Sequence, residues 1–335
     1  MRKIFLISVV VIASVMSSLS PFSQAAESQS LAVGTGSAKF NGLFQTWLVN
    51  DTAAATTTNI RLRRSELKLS GSVIEDTRWF VMMDPAKSLK TGAVSGSNDN
   101  KILQDLGVAY SITSEFELVA GQFKIPTTAE GLDSSAELPF TERSLVAKTY
   151  GDKREPGVML TYKTSNWKIA TMASNGQAAN VDDTTANKDL NVRFDWMPIP
   201  SLAFGAFTTA PDFSYGTNGG KGRWGVNARL LLDDLTLRAE GVLANDLGTF
   251  SRGWVLDAGY QLGDYQPVAR YYSLDNSTVV GTEASFGLNY YLSKNNSKIQ
   301  ATYGILNNLS GSNGSPSLAP DMNGTLFTLA FQAAI

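Results

Sequence analysis

The side chains that could do chemistry in this sequence are arginines, lysines and carboxylates spaced two residues apart. Arg64, Glu66 and Lys68 form one run, Arg193 and Asp195 another, Arg238 and Glu240 a third. Lys124, Glu142, Arg143 and Lys148 stand in or beside one long irregular stretch. Histidine and cysteine are absent from the 335 residues. Without histidine there is no Ser-His-Asp triad, no histidine metal site and no histidine acid–base chemistry. No Walker loop, Rossmann fingerprint or zinc spacing occurs, so no cofactor or metal is expected and no enzyme activity. What remains is electrostatic: charges at alternate positions can line a wetted surface and sort passing ions. The formal net charge of −2 leaves no basic excess for nucleic acid.

A spacing of two is the period of a strand. Apolar residues fill the opposite phase almost throughout. Trp254, Leu256, Ala258, Tyr260 and Leu262 oppose Asp257 and Gln261, and Trp224, Val226, Ala228, Leu230 and Leu232 oppose Arg223, Asn227 and Arg229. About sixteen such segments follow one another, each near the ~9–11 residues of a tilted spanning strand. Short turns around Ser114, Ser165, Asp233, Gly263 and Asn295 alternate with longer loops, and Pro198-Ile199-Pro200 is read as a further turn. Trp79, Trp167, Trp196, Trp254, Tyr110 and Tyr162 fall near strand ends, where aromatic girdles sit. The pattern predicts an all-β chain, a transmembrane antiparallel β-barrel of about 16 strands. A barrel of that size encloses an aqueous channel. A soluble β-sandwich or β-helix is the alternative, and it leaves the repeated aromatics unexplained.

The stretch Phe116–Tyr150 breaks the rhythm. It opens as a strand, with Val119, Gly121, Phe123 and Ile125 alternating with Leu118, Ala120, Gln122 and Lys124. Pro126 ends the ladder because it has no N–H to donate. More than twenty residues without a clear period follow. Loops of that length are usually functional, and this one is read as folding into the lumen.

The first residues form a unit of their own. Arg2 and Lys3 precede an apolar run from Ile4 to about Met16, then polar residues up to Ala25. This is the layout of a secretory signal peptide over 1–25, cleaved after Ala25 or Ala26. The apolar run is shorter than the ~20 residues of a spanning helix. Residues 26–335 then form one outer-membrane barrel domain. Without cysteine, an exported chain needs another source of stability, and a closed sheet is one.

Several segments together resemble the phosphate-selective porin O and P family. They are LVAGQFKIP, LPFTERSL, KREPGVMLTYK and the strand end Asn175-Gly176, then PVARYYSLD and GLNYYLSKNN, with Trp79 before Asp84 in the third strand. The likeness extends over the mature chain and is most specific from Gly121 to Gly176. It implies a sixteen-stranded bacterial outer-membrane porin, usually a homotrimer, whose long third external loop enters the lumen. It also implies passage of phosphate along a dense ladder of arginines and lysines. In this sequence the inward face is mixed in charge, and the chain ends on Ile335 where such barrels usually end on an aromatic.

If apolar positions face lipid, Arg64, Lys68, Lys124, Arg193, Arg229 and Arg238 face the lumen, with Lys168 and Arg270. A lipid-facing arginine or lysine at the midplane would cost ~2–4 kcal/mol. Each charge has two readings. It pairs along the wall and solvates it, as the pairs Arg193–Asp195 and Arg238–Glu240 suggest, or it guides ions through a constriction. Lys124 has no acid two positions away and sits where strand meets loop, which favours the constriction. Glu142, Arg143 and Lys148 either set a field across the eyelet or fasten the loop to the wall. The expected partners are outer-membrane lipid, small ions and hydrophilic solutes. The expected function is passive diffusion through a water-filled pore, with an anion or phosphate preference. A structural or adhesive barrel with a closed lumen is the second hypothesis.

Overall fold

A computed structural model describes residues 30–33, 36–53, 58–89, 102–184, 186, 188–210, 221–246, 248–311 and 314–335. The expected signal peptide, 1–25, lies outside the described residues.

The strands are β1 (Ser30–Val33), β2 (Gly36–Asp51), β3 (Thr58–Ile74), β4 (Thr77–Met83), β5 (Leu103–Ser111), β6 (Phe116–Lys124), β7 (Arg154–Lys163), β8 (Trp167–Ser174) and β9 (Asp189–Ile199). They continue with β10 (Leu202–Ala210), β11 (Lys221–Leu232), β12 (Leu235–Asp246), β13 (Thr249–Tyr260), β14 (Tyr265–Asp275), β15 (Val280–Ser293), β16 (Ser297–Ser310) and β17 (Ser317–Ala334). Each of β2 to β17 pairs antiparallel with its sequence neighbours, and β17 pairs with β2. The sheet therefore closes as a barrel of 16 strands, and β1 is a short addition paired to β2. Closure leaves the barrel no open edge. The final residue takes part, since Ile335 and Gly42 exchange backbone hydrogen bonds at 2.9 Å in both directions.

The polarity is inverted relative to a soluble domain. On β13, Trp254, Leu256 and Tyr260 are exposed while Gly253, Val255, Asp257 and Gly259 are buried. The same holds elsewhere: Leu106, Val108 and Tyr110 on β5 and Leu243 on β12 are exposed, while Arg64, Arg193, Glu240 and Arg270 are buried. So large an exposed apolar surface marks a membrane-facing belt. Aromatic rings meet across neighbouring strands at its border, as in Phe116–Tyr162–Trp167–Phe194 and Trp196–Phe204. Of the doubled tyrosines, Tyr271 is exposed and Tyr272 is 1% exposed.

Two differences from the sequence reading bear on the site and its neighbours. β9 continues through Pro198 to Ile199, so the turn is Pro200-Ser201. β3 begins at Thr58, six residues before the run Arg64, Glu66 and Lys68. The stretch between β6 and β7 is also not structureless. It contains α1 (Ala129–Leu132), a 3-10 turn at Ser135–Glu137 and α2 (Leu145–Tyr150). Thr128, Ser134 and Ser144 each cap one of these through the side-chain oxygen. Helices this short leave no room for a 3.6-residue pattern to show in the sequence.

The β6–β7 connection is the third on the end that carries the longer loops. That end is not uniformly long-looped, because β12 and β13 are joined through residues 247–248.

Candidate constriction site

The site begins with the neck of the β6–β7 segment, where Ile125 N donates to Lys153 O at 3.0 Å. Between these residues the segment is hydrogen-bonded by β2, β3, β9, β12 and β14 to β17. Arg193 Nη1 donates to Thr127 O. The Glu240 carboxylate accepts from Ala129 N at 2.6 Å and Glu130 N at 3.3 Å. Arg238 holds Asp133 at 2.5 Å. Gln45 reaches Ser135 O, Gln332 reaches Ala136 O, and Lys298 and Gln300 both reach Leu138 O. Asn289 donates to Pro139 O at 2.8 Å. Strand side chains thus satisfy loop carbonyls that an irregular buried backbone would otherwise leave unpaired.

Two carboxylates organise the middle of the segment. Glu130, 2% exposed, accepts from Ser144 N and Oγ and from Arg270 Nη2, the last at 2.5 Å. Arg270 also holds Asp257 and Glu142 O, and its guanidinium lies 4.2 Å from the Phe140 ring centre. Glu142 takes Arg63 on one oxygen, Nε at 2.8 Å, and Arg64 on the other at 2.7 Å. Burial opposes its charge, but Arg63 and Arg64 outweigh that and hold its carboxyl well below the usual range.

The second half of the segment is held by apolar packing. Leu145, Val146 and Tyr150 of α2 enter a cluster with Trp47, Val49, Phe207, Val242, Tyr272, Leu274 and Leu306, contributed by β2, β10, β12, β14 and β16. Val146 is fully buried over Gly253, where an added Cβ would stand 2.9 Å from a Val146 methyl. Each such side chain contributes ~1.5–3 kcal/mol by burial.

Arg143 and Lys124 converge on a third carboxylate, Asp152. Lys124 Nζ lies 3.3 Å from it, Arg143 Nη1 3.4 Å and Arg154 Nη1 3.7 Å. Burial would raise the Asp152 carboxyl, but Arg143, Lys124 and Arg154 hold it down at about 2. Lys124 also donates to Gly131 O at 2.6 Å and Asp133 O at 3.1 Å. It is therefore not without an acid, as its strand neighbours suggest. The partner comes from the far end of the loop. The alternation expected for this strand holds, since Val119, Phe123 and Ile125 share one buried cluster. Gly121 sits at φ +139°, which favours glycine, and beyond it Gln122 and Phe123 are both buried.

The other expected site residues divide. Arg64 stands 3.7 Å from Glu66 and is committed to Gln45 and Glu142. Arg193 pairs with Asp195 at 2.5 Å, as the spacing suggests. Arg238 pairs with Asp133 of the loop and not with Glu240, which is occupied by α1 backbone. Lys148 bonds the Ser315 hydroxyl, and burial lowers its amine. Lys68 and Arg229 are exposed. Arg143 fastens the loop to itself through Glu130 O and Asp133 O.

Several residues escaped the sequence reading: Arg61, Arg63, Asp152, Arg154 and Trp47. At the β2–β3 ladder the register slips between Gln45–Arg64 and Thr46–Leu62, so Arg63 is an extra residue. Such a bulge lets two consecutive side chains share a face, and Arg63 joins Arg64 on Glu142. Arg61, Arg63 and Arg64 all lie within 5.9 Å of the ring centre of Trp47, which is fully buried. The signal was present: strict alternation in Arg61-Leu62-Arg63-Arg64 would have put an arginine on lipid.

The comparisons fit this geometry. The structure is similar to OmpT of Vibrio cholerae, expressed in the outer membrane, with a TM-score of 0.65 and 14% identity over 92% of this chain and 100% of that one. The trimer form of in-vitro-folded OmpT gives 0.64 and 12%, covering 90% and 99%. An anion-selective porin from Comamonas acidovorans gives 0.64 and 14%, covering 90% and 100%. No curated protein matches the chain. The family model for phosphate-selective porin O and P matches residues 44–245, more than half of the sequence and the whole of the site's loop. With its closed 16-strand barrel, its apolar outer belt and its charged interior, the chain is a bacterial outer-membrane channel and belongs to the phosphate-selective porin O and P family.

Proposed function

We propose that the channel passes small ions and hydrophilic solutes by diffusion, breaks no bond, and prefers anions. The segment between β6 and β7 is read as lying across the lumen and forming its constriction, since its partners come from strands as far apart as β2, β9, β12 and β16. The observation that carries the anion preference is the charge on one side of that segment. Toward β3 and the neck, Arg61, Arg63, Arg64, Lys87, Lys124, Arg143, Lys148 and Arg154 outnumber Glu66, Asp84, Asp105, Glu142 and Asp152, whereas on the opposite side Arg193, Arg238 and Arg270 meet Glu130, Asp133, Asp195, Glu240 and Asp257. Most of these bases are paired, so the preference is general and modest. A row of free cations holding phosphate alone is not what this arrangement offers. Lys68, Arg193, Arg229 and Arg238 line the wall and add to the field.

A homotrimer is the assembly we infer, supported by the family and by the trimer form recorded for the Vibrio cholerae protein.

The test is reversal potential across a planar bilayer under a potassium chloride gradient. A potential on the anion side is expected, reduced in Lys124→Glu, which would set a second acid beside Asp152. A zero or cation-side potential sinks the anion reading. Absence of channels returns the chain to the second hypothesis, a barrel closed by the packing of α2.

A further inference from the structure

At the end of the barrel that carries the short turns lies a cavity of about 480 Å³. Leu132 and Asp133 of the loop form one side, and wall residues of β8, β9, β11 and β12 the other. Its size is that of a small-molecule site. Three of its side chains are left in states that a lumen lined only for inorganic ions does not require.

The first is Arg229. It is exposed, and among the described residues it has no ion pair or hydrogen bond. It stands directly opposite Arg238 on the neighbouring strand. Facing like charges are unfavourable unless an anion serves them. Asp133 serves Arg238 at 2.5 Å, and nothing serves Arg229. The second is Lys168, with 46% of its side chain exposed. Its nearest acid, Asp195 at 3.7 Å, is already held by Arg193 at 2.5 Å. The third is Met197. It follows Trp196 at the irregular step of the β9–β10 register, lines the cavity, and is 40% exposed. An apolar, adaptable side chain in that position gives chloride or phosphate nothing to bind. It gives an apolar body a surface, which Leu132 extends from the loop side.

We propose that this vestibule binds a small organic anion, its carboxylate at Arg229 and Lys168 and its apolar body against Met197 and Leu132. The inference rests on the anion-preferring reading above and names the class of anion that dwells in the channel.

The experiment is current block of the purified full chain in a planar bilayer, titrating benzoate, acetate and inorganic phosphate in separate runs. Benzoate is expected to reduce the potassium chloride current at concentrations where acetate and phosphate leave it unchanged. Arg229→Gln and Met197→Ser should each raise the half-blocking benzoate concentration about fivefold or more, and Met197→Leu should keep block near wild type. Both positions are exposed, and retention of the heat-sensitive gel shift of a folded barrel verifies each variant. Equal block by acetate and benzoate, or benzoate block untouched by both substitutions, overturns the site. The reversal potential of the same membranes separates the two readings. An anion-side potential without selective benzoate block means the charge reading holds and this site does not. A zero potential with benzoate block lost in both variants means the reverse.

Discussion

Glu142 Oε1 lies 2.7 Å from Arg64 Nη2, while its other oxygen holds Arg63, so one loop carboxylate is clamped by two consecutive arginines of β3. The clamp exists only because a bulge turns Arg63 inward beside Arg64. It fixes the loop and neutralises part of the basic cluster, and the two effects separate under mutation.

Glu142→Gln keeps the shape and removes the charge. Both guanidiniums then lose their counter-charge in a buried setting, where breaking a pair costs roughly 3–5 kcal/mol. The expected result is a larger anion permeability ratio together with greater open-channel noise, read from reversal potential and single-channel traces. A quieter channel with unchanged selectivity would show that the clamp neither holds the loop nor screens the pore.

Asp152 gives the same logic without touching β3. It is shared by Lys124, Arg143 and Arg154. Asp152→Asn should raise the anion-side reversal potential, because three bases lose one acid, and Lys124→Glu should lower it. Measured together with the double variant, the two changes should be non-additive, since the side chains are in contact.

Acid should loosen the loop late. Asp152 is held at about 2 and Glu142 also lies below its ordinary range. A depressed carboxyl contributes stability that is present above the unfolded value of ~4 and is lost as pH falls through the folded value. Conductance and noise should therefore be level from pH 7 to 5 and rise toward pH 2. A transition near pH 6 would mean that other groups hold the loop.

Val146 tests the apolar anchor. It is fully buried in the cluster around α2, above Gly253. Val146→Asp would bury an unpaired charge, which such a site does not accept. The helix should leave its place, and single-channel conductance should rise. Val146→Ala, which removes only two methyl groups, should leave conductance near wild type and lower loop stability by ~1–2 kcal/mol.

Leu256 and Asp257 test the inverted wall, since the first is 51% exposed and the second is buried. Leu256→Arg should lower folding stability in lipid vesicles by ~2–4 kcal/mol if it lies at the midplane. Urea titration followed by the gel shift of folded barrel measures it. A neutral result would place that face away from lipid.

By itself the sequence determined the barrel, its strand count and its inside-out polarity. Alternation is a local property, and sixteen repetitions of it leave little else for the chain to do. It also located the long third loop, because Pro126 and a run without period are visible in one dimension. Apart from Arg193 with Asp195, which their spacing foretold, the tertiary structure decided which charges meet. Lys124 finds Asp152 across the neck of a loop, Arg238 finds Asp133 in place of Glu240, and Glu142 finds Arg63 through a slip in register. Those pairings depend on how a closed sheet brings distant segments together and on a single-residue irregularity at Arg63. A period of two carries no record of either, because a bulge reverses the facing of every residue beyond it.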